Sequence, residues 1–134
     1  MTRTWPMIAV ADVPTSAAWY KELLNARNNH PGGTSFDQLL DQDDTILLCL
    51  HWWGPTGLKS DHHWASLSRP DKGGPGNGLL LWFVVDDFDS AWDRARKLGA
   101  TIEEPPNGDN GTLMRAFVVR DPDGYYVAVN EARP

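Results

Sequence analysis

The residues of this chain that are best suited to bind a metal lie in its middle third. His51, Asp61, His62 and His63 carry imidazole and carboxylate groups, which are common ligands of divalent metals in proteins. Adjacent residues such as His62 and His63 point in different directions along any regular element, so the pair does not form one ligating face. We therefore favour a solvated loop, or a loop at the rim of a cleft, over a metal site built from these residues.

Two further positions contain groups that catalysis can use. Asp121 and Asp123 are a pair of carboxylates, but they stand in the sequence Asp121-Pro122-Asp123-Gly124. Pro at the second position and Gly at the fourth are typical of a type I turn, in which aspartates accept hydrogen bonds from nearby backbone N–H groups. Cys49, the single cysteine, lies in an apolar run and is expected to be a buried small hydrophobic residue. Neither position predicts a catalytic site.

The composition favours one domain and a small-molecule partner. A chain of 134 residues is long enough for one core and too short for two independent ones. The formal net charge is −6 and the 12 Lys and Arg residues are scattered, which makes nucleic acid and anionic membranes poor partners. No run of residues has the length and apolarity of a secretion signal or a membrane span. We therefore expect a cytoplasmic protein.

An internal repeat organises the elements that position these residues. Val10-Ala11-Asp12-Val13 recurs as Val85-Asp86-Asp87-Phe88, and each copy ends an apolar run and precedes a helix-like stretch. Alternation and turn signals predict βαβββ in both halves, with the second strand of the first half weakest. Residues 54–78, rich in Gly, Pro, Ser, Asp and His, are expected to link the halves. The predicted helices are Thr15–Leu24 and Asp89–Leu98, and the predicted strands include Trp5–Val10, Ser35–Leu40, Thr45–Trp53, Leu79–Val85, Thr101–Glu104, Leu113–Val119 and Tyr125–Asn130.

This doubled unit resembles the vicinal oxygen chelate superfamily, which includes glyoxalase I, extradiol dioxygenases, fosfomycin-resistance enzymes and bleomycin-resistance binding proteins. The motifs that carry the resemblance are Val10-x-Asp12-Val13, Gly76-x-Gly78, Leu98-Gly99-Ala100 and Met114-Arg115-x-Phe117-Val118-Val119-Arg120-Asp121-Pro122-Asp123-Gly124. The resemblance implies an α+β fold in which two βαβββ modules form a half-open, barrel-like sheet of eight strands with the helices on its outer face. It implies a single domain over 1–134, with module one at about 4–53, the linker at 54–78 and module two at about 79–131.

The resemblance also locates the superfamily's metal-ligand positions. Enzymes of the superfamily hold a divalent metal with inward-facing residues from four strands, and these positions fall here on Trp5, Leu48, Leu80 and Ala128. None of these side chains supplies the imidazole, carboxylate or thiolate that zinc, iron, manganese or magnesium needs. We therefore expect no metal, no other cofactor and no catalytic residue, which places the chain closest to the metal-free, bleomycin-resistance-like branch.

Alternation around the four positions predicts the lining of a cleft between the modules. The expected inward-facing residues are Trp5, Met7, Ala9, Ile46, Leu48, Leu50, Leu80, Trp82, Val84, Tyr126, Ala128 and Asn130. The predicted ligand-binding residues are Trp5, Met7, Leu48, Leu50, Leu80, Trp82, Arg115, Tyr126 and Ala128, with Arg115 included because the bleomycin-resistance branch commonly has an arginine at this strand. Trp5 and Trp82 can stack on a flat ring or face a cation.

Three hypotheses for function follow from this lining. The first is a metal-free binding protein that sequesters a small aromatic molecule, cationic or neutral, and that forms a homodimer, as the bleomycin-resistance proteins do. The second is a metal-dependent lyase, isomerase or dioxygenase whose ligands lie at other positions. The third is a structural or regulatory partner module, which a closed, filled cleft would favour.

Overall fold

The computed structural model describes residues 3–53, Leu67, 79–106 and 115–132. Most of the predicted linker therefore lies outside the described residues, and with it the candidate metal-binding group of Asp61, His62 and His63.

The chain divides into two compact units, which we consider separately. Unit one holds Met1–Lys21 and Asn25–Gly73, and unit two holds Glu22–Leu24 and Gly74–Pro134. The elements in chain order are β1 (Met7–Val10), α1 (Val13–Leu24), β2 (Arg27–Asn28), β3 (Phe36–Leu40), β4 (Ile46–Trp52), β5 (Leu80–Val85), α2 (Phe88–Lys97), β6 (Thr101–Glu104), β7 (Ala116–Arg120) and β8 (Tyr126–Glu131). Neither described helix combines the length and the apolarity that crossing a lipid bilayer would require.

The two aspartates of the repeat begin the two helices. Asp12 Oδ1 accepts a hydrogen bond from the backbone N–H of Thr15 at 2.9 Å, and Asp87 Oδ1 accepts one from Ser90 at 3.1 Å. Each carboxylate thus satisfies one of the backbone donors that the first turn of a helix leaves free. The Ser90 bonds also hold the pKa of Asp87 below its ordinary value, since they favour the charged form.

The two units have the same sheet topology. In unit one the strand order is β1-β4-β3-β2, and in unit two it is β5-β8-β7-β6. The first strand of each unit pairs in parallel with the last, and the other pairings are antiparallel. The predicted α+β class with two βαβββ modules is confirmed. The weak second strand of the first half is only two residues long, at the start of the region where the sequence indicated turns.

In unit two the helix covers one face of the sheet and leaves the other open. The Phe117 ring lies 5.6 Å from that of Phe88 and 5.1 Å from that of Trp92, centroid to centroid, so α2 packs on the face that carries Phe117. Val119, Val127 and Val129 alternate onto this buried face and are fully inaccessible. The open face of unit two carries the intervening side chains of β5, β7 and β8.

The register of unit one corrects one sequence-based expectation. Met7 pairs with Cys49 and Ile8 pairs with Leu50, and paired residues of neighbouring strands project from the same face of a sheet. Leu48 and Leu50 therefore lie on the face of Ile8, opposite Met7, and both are 0% exposed. The prediction that Leu48 and Leu50 share an inward face with Trp5 and Met7 is wrong by one residue.

The predicted turn after β7 is confirmed in detail. Asp121 Oδ1 accepts hydrogen bonds from the backbone N–H groups of Asp123 and Tyr125, both at 2.9 Å. The N–H of Gly124 donates to the Asp121 carbonyl at 3.0 Å, and Gly124 has a φ of 93°, which favours glycine. Asp121 therefore fixes the backbone that leads into β8.

Candidate functional site

The open face of unit two contains a hollow of about 640 Å³. Its lining combines apolar side chains with two carboxylates and a phenol: Leu79, Leu80, Trp82, Glu103, Glu104, Ala116, Val118, Tyr126 and Ala128. These residues come from four strands and the residue that precedes β5, so the hollow depends on the pairing of the whole sheet. A volume of this size is typical of sites for small organic ligands.

Strand pairing explains why these side chains meet. Leu80 pairs with Tyr126 and Trp82 pairs with Ala128, while Ala128 pairs on its other side with Val118. Because paired residues share a face, the alternation in three strands brings all of them to the open face. Trp82 remains 53% exposed, which leaves its indole free to contact a ligand. Ala128 is fully inaccessible and forms part of the floor.

A β-bulge in β6 adds the carboxylates. Ile102 pairs with Val119 on the buried face, and Glu104 pairs with the neighbouring Val118 on the open face. Two steps along β6 thus match one step along β7, so Glu103 is the extra residue of the bulge. A bulge of this kind redirects the side chains that follow it. Without it, simple alternation would place Glu104 on the same face as Ile102.

Arg120 holds the polar wall of the hollow. Its Nε donates to Glu103 Oε1 at 2.8 Å, its Nη1 donates to the Gly124 carbonyl at 2.8 Å, and its Nη2 donates to the hydroxyl of Tyr126. The guanidinium carbon also lies 3.5 Å from the centre of the Tyr126 ring. The hydrogen bond to Glu103 is the main reason why the pKa of Arg120 is raised. Arg120 therefore fixes Tyr126 and neutralises Glu103.

Four of the predicted ligand-binding residues come together in this hollow. Leu80, Trp82, Tyr126 and Ala128 all line it. Sequence reasoning missed Ala116 and Val118, although alternation along the predicted strand Leu113–Val119 is a signal that could have identified them. It also missed Glu103 and Glu104. Alternation alone would place Glu103 on the face opposite Ile102, whereas Glu104 reaches the open face only through a bulge, which cannot be read from alternation.

Arg115 is not among the residues that line the hollow, and its predicted role in ligand binding stays a prediction. Arg115 Nε and Nη2 donate to the two carboxylate oxygens of Glu131 at 3.1 and 3.0 Å, and Nη1 donates to Asp89 at 3.0 Å. Its guanidinium lies 4.5 Å from the centre of the Phe88 ring. Asp89 and Phe88 belong to α2, so Arg115 lies on the buried face. Its contacts link the helix to β8.

The predicted residues of unit one lie on two different faces of its sheet. Met7 is 40% exposed, and Trp5, which precedes β1, is 60% exposed, whereas Leu48 and Leu50 are buried on the opposite face. The Met7 face also carries Cys49 and His51 of β4, which pair with β1, and Gln38 of β3, which pairs with Cys49. The Nε2 of Gln38 donates to Cys49 Sγ at 3.6 Å, and burial raises the pKa of this thiol.

The side chains at the superfamily's metal positions do not fit a divalent metal. Trp5, Leu80 and Ala128 have no donor group. The repeat identifies the fourth position. Met7 and Trp82 are equivalent residues, because each precedes the aspartate that begins its helix by five residues. Their strand partners, Cys49 and Ala128, are therefore equivalent as well. The fourth metal position therefore falls on Cys49, which has a buried thiol, and not on Leu48. Within residues 3–53, 79–106 and 115–132, no three His, Cys, Asp or Glu side chains are grouped to hold a metal.

His51, the one described histidine of the candidate metal-binding group, has structural contacts. Its Nδ1 donates to the Trp52 carbonyl at 2.7 Å, and its ring lies 6.5 Å from that of Phe36, centroid to centroid. His30 contacts the same Phe36 ring at 5.3 Å. The two imidazoles thus flank an aromatic ring in unit one.

Comparison with known proteins assigns the fold to a family. The chain is similar to TioX from Micromonospora sp. ML1 (18% identity, 98% of each chain covered, TM-score 0.69). It is also similar to a protein from the mobile metagenome of V. Pseudocholerae (22% identity, 100% of this chain and 97% of that chain covered, TM-score 0.67) and to the fosfomycin resistance protein FosX from Mesorhizobium loti (16% identity, 98% and 92% covered, TM-score 0.65). A family model, the Glyoxalase/Bleomycin resistance protein/Dioxygenase superfamily, matches residues 3–129. This match spans nearly the whole chain, and the chain therefore belongs to that superfamily.

Proposed function

We propose that this protein is a metal-free member of the superfamily that binds and sequesters a small aromatic molecule. The observation that carries the proposal is the hollow of unit two, where the exposed indole of Trp82 stands beside a floor of small apolar side chains. A flat ring placed on this floor removes apolar surface from water, which contributes about 25 cal/mol for each Å² buried. Contact between the ring and the indole adds about 0.5–1.5 kcal/mol.

A metal-dependent lyase, isomerase or dioxygenase is the alternative within the same superfamily. Such an enzyme needs an open coordination position next to three or more donor side chains. Leu80 and Ala128, which stand at two of the superfamily's metal positions, line the hollow without a donor atom. The side chains at these two positions therefore support binding rather than metal-assisted catalysis.

Fluorescence quenching with a panel of planar dyes and aromatic antibiotics tests the proposal. We expect ligands that quench the indole emission of the wild-type protein to bind Trp82→Ala about two- to thirtyfold more weakly, which corresponds to a loss of about 0.5–2 kcal/mol. Trp5→Ala shows in the same titration whether the other predicted tryptophan contributes.

Trp92→Phe is the matched control, because Trp92 contacts Phe117 on the buried face. This variant removes one emitting indole and leaves the hollow intact, so its affinity should equal that of the wild type. Equal affinity of wild type, Trp82→Ala and Trp92→Phe for every ligand would show that binding takes place elsewhere and would refute the proposed site.

A further inference from the structure

One row of residues crosses the whole sheet of unit two beneath the hollow. Trp82 pairs with Ala128, Ala128 with Val118, and Val118 with Glu104. Adjacent strands lie about 4.8 Å apart, so the Cα atoms at the two ends of this row are about 14 Å apart. The row therefore has an aromatic ring at one end, a carboxylate at the other, and a small apolar floor between them.

The two carboxylates of the hollow differ in whether a basic side chain pairs with them. Glu103 is paired with Arg120 at 2.8 Å, and this pair has no net charge. Glu104 has no basic nitrogen within 4.0 Å among the described part of the chain. The described lining of the hollow contains no Lys or Arg side chain. Among the described residues, Glu104 is therefore the carboxylate of the lining that no cation neutralises, and it stands at the end of the row opposite Trp82.

We infer that Glu104 selects the ligand by charge: the hollow takes a fused two-ring aromatic with a protonated amine on one edge. This inference rests on the proposed function and specifies its ligand class. The ring system lies on Ala128 and Val118 against the Trp82 indole, and the ammonium group donates hydrogen bonds to the Glu104 carboxylate. Such charge-assisted hydrogen bonds are stronger than neutral ones.

A pair of probes with the same shape and different charge tests the inference. 2-Naphthylmethylamine is cationic at neutral pH, and 2-naphthalenemethanol replaces its ammonium group with a hydroxyl. By isothermal titration calorimetry at low salt, we expect the wild-type protein to prefer the amine about two- to fivefold, the size typical of a solvent-exposed charge pair. Glu104→Gln should lose this preference and keep its affinity for the alcohol. Added salt should weaken only the binding of the amine to wild type.

Asp93→Asn is the matched control. It removes the same unit of charge from α2, whose Asp93 is paired with Arg96 on the helix, and should leave the preference for the amine unchanged. If the wild type binds both probes equally, or if Glu104→Gln keeps the preference, the role of Glu104 is refuted while the proposed function stands. If neither probe binds the wild type, the proposed function fails and the inference with it.

Discussion

Replacing Leu48 with alanine tests the register that separates the two faces of unit one. Leu48 is 0% exposed, and truncation of a buried leucine to alanine typically costs 2–5 kcal/mol, so we expect a loss of about 3 kcal/mol in the free energy of unfolding. For 134 residues, the entropy of unfolding is about 0.28 kcal/mol/K, so the melting temperature should fall by about 10 °C. Urea titration and thermal melts followed by far-UV circular dichroism measure both quantities.

Leu47→Ala is the control for this experiment, because Leu47 differs in burial and not in chemistry. Leu47 is only partly buried, so its truncation should cost about 1 kcal/mol. The register that the sequence suggested, with Leu48 facing a ligand, predicts the opposite ranking and a loss of ligand affinity in Leu48→Ala. Equal costs for the two variants, or a larger cost for Leu47→Ala, would contradict the register described above.

Three further predictions concern metal content, assembly and acid stability. Elemental analysis after dialysis against zinc, iron, manganese or nickel should find no stoichiometric metal, whereas one ion per chain that is lost in His51→Ala would restore the enzyme hypothesis. Light scattering at micromolar concentration should give the mass of a homodimer, since symmetric pairs are the commonest assemblies, and a monomer alone would contradict this. Arg115 lowers the pKa of Glu131 from its ordinary value of 4.5, so their pairing stabilises the fold above that value and is lost as the pH falls through the lowered pKa. Glu131→Gln should therefore be less stable than wild type at pH 7 by urea titration and should differ less at pH 3, and a constant difference would rule out this coupling.

The fold and four residues of the hollow could be predicted because the sequence carries recognisable start signals for its helices and for its last strand. Asp12 and Asp87 mark the starts of the helices, and Gly124 marks the start of β8. Counting from these signals gave the correct face for Leu80 and Ala128, since β-strands alternate strictly unless a bulge intervenes.

The errors in the predicted site have specific physical causes. Residues 46–50 are apolar at every position, and both faces of β4 contain buried residues, so alternation gave no signal for the orientation of Leu48. The pairing of β1 with β4, and no spacing in the sequence, identifies Cys49 as the counterpart of Ala128. Glu104 was hidden by the bulge. Arg115 resembles a ligand-binding arginine by sequence position, and that role stays a prediction, while its three hydrogen bonds to Glu131 and Asp89 place it between helix and sheet.

The bulge at Glu103 also places the carboxylates of the hollow on the strand whose alteration disturbs the fold least. β6 is an edge strand that pairs only with β7, and its four residues are exposed. A change in the length of β6 affects this edge, while the central pairing of β7 with β8 and the packing of α2 keep their register. The charged side of the hollow is therefore the part of its lining that can change at the smallest cost in stability, since β6 is exposed along its length.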